Sequence, residues 1–165
     1  MNEWVEQQTA FLQALTSCTV LRWQGLEMAL RDAGGLPEWQ DGSMPFLQLV
    51  RLDVVLGDGG RSSVITYQND DRWGLCRKDG LPPSRLRTDE PDSIYRWRWL
   101  DTLPTGRIGG LSVRLNEGDI AEVKLDVEGR ELRLLAGEVY ERNDGSLRIV
   151  LMDESVLVQV DGRRP

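Results

Sequence analysis

Histidine is missing from all 165 residues of this chain. Its absence removes the Ser-His-Asp triad, the Cys-His dyad and the commonest general acid or base at neutral pH. The hydrolytic routes that survive use paired carboxylates, or acids holding Mg²⁺. Cysteine is scarce as well. Cys18 and Cys76 form no CxxC pair, and without histidine no Cys/His zinc set can assemble. Both read as small buried apolar residues. Lysine is confined to Lys78 and Lys124, so 18 of the 20 basic residues are arginine. We set that bias down to codon choice in a GC-rich genome rather than to guanidinium recognition. No metal ion or cofactor is expected.

Long apolar runs are absent too. None approaches the ~18–20 residues of a membrane span. The opening "MNEWVEQQTAFLQAL" carries acids and amides in place of the basic n-region and apolar segment of a signal peptide. A cytoplasmic protein with no membrane partner is expected.

Apolar residues make up 40% of the chain and charged residues 28%, ordinary for a globular protein and unlike a disordered one. A chain of this length buries about 70% of its unfolded surface, enough for one core. Residues 1–165 are therefore read as a single domain. Within it, 1–16 form an N-terminal helix, 17–110 a first set of strands with long loops, 111–160 a C-terminal β meander, and 161–165 a tail.

The helix rests on Trp4, Val5, Phe11, Leu12 and Leu15 at helical spacing, with Asn2 as N-cap and Glu3 and Glu6 in the first turn. Its one-sided stripe fits packing across a sheet or over a barrel end. A strand follows at 18–24, while 26–32 fit helix and strand equally, and 32–45 read as a Gly/Pro/Asp loop. In 46–56, Phe46, Val50, Leu52, Val54 and Leu56 share one face of a strand. Strands at 62–68 and 72–78 flank the "NDD" turn. The proline-bearing 79–92 is a long loop.

Beyond "TLPTGRIGG", short strands and turns alternate at steps of about ten residues. "IAEVKLDV" alternates apolar and charged residues, as a half-buried antiparallel strand does. "NDG" at 143–145 is a strong hairpin signal, and "DES" at 153–155 reads as a turn between two strands. The fold class expected is α+β: mainly an antiparallel β meander closing into a barrel or sandwich, with an N-terminal helix.

"SIYRWRWLD", 93–101, places Tyr95, Trp97 and Trp99 on one strand face and Arg96 and Arg98 on the other. Aromatics interleaved with arginine can stack bases and hold phosphates. Phosphate affinity, however, needs several cationic contacts. The chain carries −7, and the surplus in 72–98, seven basic against four acidic residues, is only +3. No nucleic-acid partner is expected. Each such aromatic buries about 150–250 Å², so the trio reads as a core wall, or else as a docking face.

Two acidic stretches remain. "YQNDDRWG", 67–74, sets Asp70 and Asp71 in a turn beside Trp73, and "LMDES", 151–155, sets Asp153 and Glu154 at a hairpin tip with Glu138 and Glu141 one strand away. Adjacent aspartates do not match the alternating oxygen ligands of a calcium loop. Asx-type turns account for much of this, and no residue is assigned as catalytic. A carboxylate pair about 5–9.5 Å apart would serve a glycosidase. "GDGG" and "GRIGG" lack the phosphate-cradle spacing and are turns.

The small, acidic, histidine-free, β-rich character is similar to that of bacterial immunity proteins that neutralise secreted toxins. The similarity is one of composition, with no matched residues. Function is therefore expected to be non-enzymatic protein binding, with Asp70, Asp71, Trp73, Asp153 and Glu154 meeting a basic partner, an immunity-type inhibitor being one version. The alternatives are a β-barrel holding a small apolar ligand at a mouth lined by Trp23, Trp73 or Trp97, or a carboxylate-dependent hydrolase using Asp70, Asp71, Asp153 and Glu154.

Overall fold

The computed structural model describes residues 2–165. Among them, helix α1 (Glu3–Gln13) is followed by strands β1 (Thr19–Met28), β2 (Arg31–Ala33), β3 (Leu36–Glu38), β4 (Leu47–Leu56), β5 (Arg61–Asn69) and β6 (Arg72–Asp79). Then come β7 (Tyr95–Trp99), β8 (Gly106–Asn116), β9 (Asp119–Val127), β10 (Arg130–Glu141) and β11 (Leu147–Val160). No described helix is long and apolar enough to cross a membrane.

The pairing is antiparallel throughout, and the main sheet curls into a ring. From β8 the meander runs through β9 and β10 to β11. Strand β11 meets β4 at Leu47–Leu49, β4 pairs along β1, and β1 returns to β8 through Thr19 and Val20. The β5–β6 hairpin branches from the far half of β4, and β7 branches from β1. The expected class is thus observed, as a ring of strands with two branches rather than a strict barrel. Leu49, Leu52, Ile108, Ile120, Leu132 and Leu134 fill its interior.

Local chemistry explains most elements. Asn2 accepts the Trp4 amide at 2.9 Å and caps α1, which packs on β6, β8 and β9 through Val5 and Leu12. Arg77 of β6 locks it down, donating to the Phe11 carbonyl at 2.6 Å and to Ser62 Oγ at 2.7 Å. The "NDG" turn joins β10 to β11, with Gly145 at φ 83°. In β9, Val123, Leu125 and Val127 face the core while Asp126 is exposed. Glu122 is the exception, buried because Arg133 and Arg114 pair with it at 2.7 and 3.3 Å.

Four expectations need correction. The expected loop 32–45 contains the small β2–β3 hairpin, its Gly34 and Gly35 both at positive φ; of the stretch 26–32, left open between helix and strand, residues 26–28 continue β1. In β4 the buried face switches. Register slips by one residue opposite Leu26 and Glu27, so Leu47 and Leu49 share the core with Leu52, Val54 and Leu56. Such a bulge flips every side chain beyond it. Phe46 joins a second cluster with Leu30, Met44 and Leu157, and Val50 faces outward into a pocket.

The "DES" segment does not divide two strands. β11 is continuous, and residues 152–155 form a wide bulge without partners on β10. Asp153 and Glu154 therefore stand in the middle of a strand and not at a hairpin tip. Finally, "YRWRW" is no core wall. None of the three aromatics is buried, and Trp99 is 38% exposed. β7 is an end strand joined only to β1, and its aromatic face is only partly covered, with Tyr95 lining a pocket. There the rings stack on guanidiniums instead: Arg22 lies 3.8 Å from the Trp99 centroid and Arg51 5.5 Å from that of Trp97.

Gly137 lies at the register break opposite the wide bulge. A Cβ there would stand 2.9 Å from the Val150 carbonyl oxygen and 3.0 Å from Leu157 Cδ1. Gly137→Ala is expected to destabilise the protein by about 1–3 kcal/mol, read as a lowered urea midpoint. An unchanged midpoint would show that the bulge tolerates a side chain.

Candidate functional site

The β4 bulge and the β11 bulge together build a pocket on the outside of the ring. Its floor is apolar: Leu26 and Met28 from β1, Val50 from β4 and Ile65 from β5. Trp73 of β6 and Tyr95 of β7 form the sides, and the loop Leu81–Leu86, with Pro82 and Pro83, forms the roof. The β11 bulge contributes Glu154 and Ser155 as the polar wall. The volume is about 520 Å³, within the range of small-molecule sites.

Arg51 pins the roof. Its Nε and Nη2 grip both oxygens of Asp53 at 2.6 and 3.0 Å. That leaves Nη1 to donate to the Pro82 carbonyl at 2.6 Å. Asp53 is buried and is held in turn by Ser63 Oγ at 2.6 Å. A planar guanidinium suits this double duty because its donors are rigidly disposed. The polar wall is fixed as well, by Thr66 Oγ1, which donates to the Glu154 carbonyl at 2.6 Å.

Behind that wall three acids gather. Ser155 Oγ donates to Glu138 Oε2 at 3.2 Å, and the Tyr140 hydroxyl donates to Asp153 Oδ2 at 2.9 Å. Burial, and then the negative charges of Glu154 and Asp153, push the Glu138 carboxyl up to about 7. Burial and the Asp153 hydrogen bond lift the Tyr140 phenol to about 12. Repulsion of this kind leaves room for a cation, which would relieve it. Among the described residues no group of three or more Cys, Asp or Glu side chains is placed to hold a metal ion.

Of the residues singled out in the sequence, the fold brings together Trp73 and Glu154, both lining the pocket, with Asp153 next in line. Asp70 and Asp71 stand apart, exposed at the β5–β6 tip, with Asp70 at φ 54°. Their neighbours look elsewhere: Asn69 donates to the buried Asp119 of β9 at 2.9 Å, and Arg72 pairs with it at 3.4 Å. Of the other indoles, Trp23 is in the core, donating to the Pro104 carbonyl at 2.8 Å, so a mouth lined by Trp23 does not form. Sequence reading missed Arg51 and the Leu81–Leu86 roof, and gave Tyr95 to a core wall or docking face rather than to a pocket. Paired prolines in a long loop were the available signal, since they stiffen a segment.

Comparison with protein-family models, with curated proteins and with solved structures gives no match. Fold and pocket must therefore speak for themselves: a ring of antiparallel strands with an external apolar pocket bounded by acids.

The Glu138 carboxyl gives the pH dependence a definite sign. Its folded value lies above its ordinary 4.5, so between about pH 4.5 and 7 the folded state holds more protons than the unfolded one. Stability is expected to fall as pH rises through this window, by on the order of 2 kcal/mol. Glu138→Gln keeps the hydrogen bond but not the charge and should flatten this fall, measured by chemical denaturation at several pH values. An identical pH profile in the variant would mean that Glu138 titrates like an exposed acid.

Proposed function

We propose that the protein is a non-enzymatic binding module for a basic protein partner. The pocket under Leu81–Leu86 receives an apolar side chain of the partner, and the Glu154 carboxylate, reinforced by the negative charge of Asp153 and Glu138 behind it, meets its cationic groups. One observation carries this reading: an apolar cavity of about 520 Å³ has Glu154 in its polar wall, with Asp153 and Glu138 close enough to raise one another's negative potential. A buried apolar anchor beside complementary charge is how compact interfaces concentrate affinity. The net charge of −7 adds long-range attraction for a basic partner. Inhibition of a basic toxin, in the manner of an immunity protein, is one version.

A small apolar amine would fit the same pocket and is the alternative. A carboxylate-dependent hydrolase has less support. It needs the acid of raised pKa to face the cleft, whereas Glu138 sits behind Ser155 and does not line the pocket.

The test is fluorescence anisotropy with labelled Lys/Arg-rich peptides that carry one Leu or Phe, run at low and at high salt. Affinity is expected to weaken with salt, to strengthen as pH rises through about 7, and to drop about tenfold in Glu154→Gln and in Arg51→Met. Binding indifferent to salt, or a preference for acidic peptides, would overturn the proposal. Retained affinity for a small hydrophobic amine without any for peptides would move the reading to the alternative.

A further inference from the structure

A second site lies on the other face of β1. Glu27 and Arg96 are direct partners across the β1–β7 ladder, and Arg98 is one pair further along the same face. The Glu27 side chain is 1% exposed. Its Oε2 accepts from Arg96 Nε and from Arg98 Nε, each at 2.7 Å. A third guanidinium arrives from the end of the chain, with Arg164 Nη2 3.7 Å from Glu27 Oε1.

Two of these arginines already outweigh the charge of a single carboxylate, so a third is not needed to balance it. Its presence is costly. Burial lowers the Arg164 pKa, and although Glu27 raises it, Arg98 and Arg96 lower it again. Arg164 Nε is buried without a hydrogen-bond partner. Among the described residues, no protein acceptor meets the Nη atoms of Arg96 or the Nη1 of Arg98. Trp39 lies 4.1 Å from the Arg96 guanidinium and holds it in place. The acids across the adjoining recess, Asp41 and Glu38, are engaged by Arg31 at 3.0 and 3.1 Å. Counting that group, the neighbourhood keeps a surplus of one positive charge in a protein of −7.

The geometry points to an oxyanion-binding site made by Arg96, Arg98 and Arg164, taking a phosphate or carboxylate group on the guanidinium donors that Glu27 leaves unused. Glu27 is the organiser. It holds Arg96 through Nε and Arg98 through Nε and Nη2, which leaves both Nη atoms of Arg96 and Nη1 of Arg98 for an anion, whose oxygens a guanidinium can grip two at once. This site is separate from the acid-walled pocket, and the two can fail independently.

The test uses the intact chain, with inorganic phosphate, pyrophosphate and citrate as probes and sodium chloride at matched ionic strength as reference. Readouts are thermal unfolding and indole fluorescence, which reports Trp39. At least one probe should raise the midpoint and change the fluorescence beyond the chloride reference. Response to the phosphates alone would identify a phosphoryl group, and response to citrate alone a carboxylate. Arg164→Gln leaves Glu27 bonded to Arg96 and Arg98, so the chain should fold, and affinity should fall about tenfold or more. Trp39→Phe should abolish the fluorescence change while leaving the midpoint shift. No response beyond chloride, or an Arg164→Gln variant that binds as well as the parent, would overturn the site.

Discussion

The closure of β1 on β4 is the constraint on which the rest of the structure depends. The C-terminal meander supplies four strands in chain order, but its open edges meet only because β1 and β4, from the first half, pair with each other and span the gap. The seam packs closely at Gly25, where a Cβ would stand 2.8 Å from Leu100 Cδ1 and 3.0 Å from Leu49 Cδ2. Long-range pairing of this kind carries a loop-closure entropy that local hairpins do not. The interior burial of Leu49, Leu52 and Trp23 offsets it.

Both candidate sites are by-products of that seam. Each strand face meets a different environment on the two sides of β1: Leu26 and Met28 look out to the apolar pocket, while Glu27 looks to the arginine cluster. The irregularities make the sites. Without the β4 bulge Val50 would point into the core, and without the β11 bulge Glu154 would not reach the pocket. Bulges re-aim side chains where a regular ladder cannot.

The buried charges follow one rule. Asp53, Glu122 and Glu27 are each held by at least one guanidinium within 2.7 Å. At Glu122 burial alone would raise the carboxyl, yet Arg133 and Arg114 outweigh it and the net shift is downward. Lysine, a point charge on a flexible stem, would not satisfy two acceptors in this way. The arginine excess, set down to codon choice from the sequence, thus has structural employment at these three sites.

Period-two alternation made β9, β10 and the "NDG" hairpin legible, because each is decided by neighbours within a few residues. The capped helix was legible for the same reason. The switch of face within β4 was not. Nothing in "FLQLVRLDVVL" marks Val50 as the extra residue, since a bulge is specified by the partner strand's register. The fate of "YRWRW" turned on position in the sheet: composition promised burial, but β7 is an end strand whose aromatic face is only partly covered. Trp73 and Glu154 were legible as candidates by type, Arg51 was not, and Asp70 and Asp71 were drawn in by adjacency in the chain alone. By itself the sequence determined an acidic, histidine-free antiparallel protein with a capped helix, because composition and short-range periodicity carry that information locally. Only tertiary structure decided which acids share a wall, which arginines meet Glu27 and which aromatics stay exposed, since those depend on contacts between segments far apart along the chain.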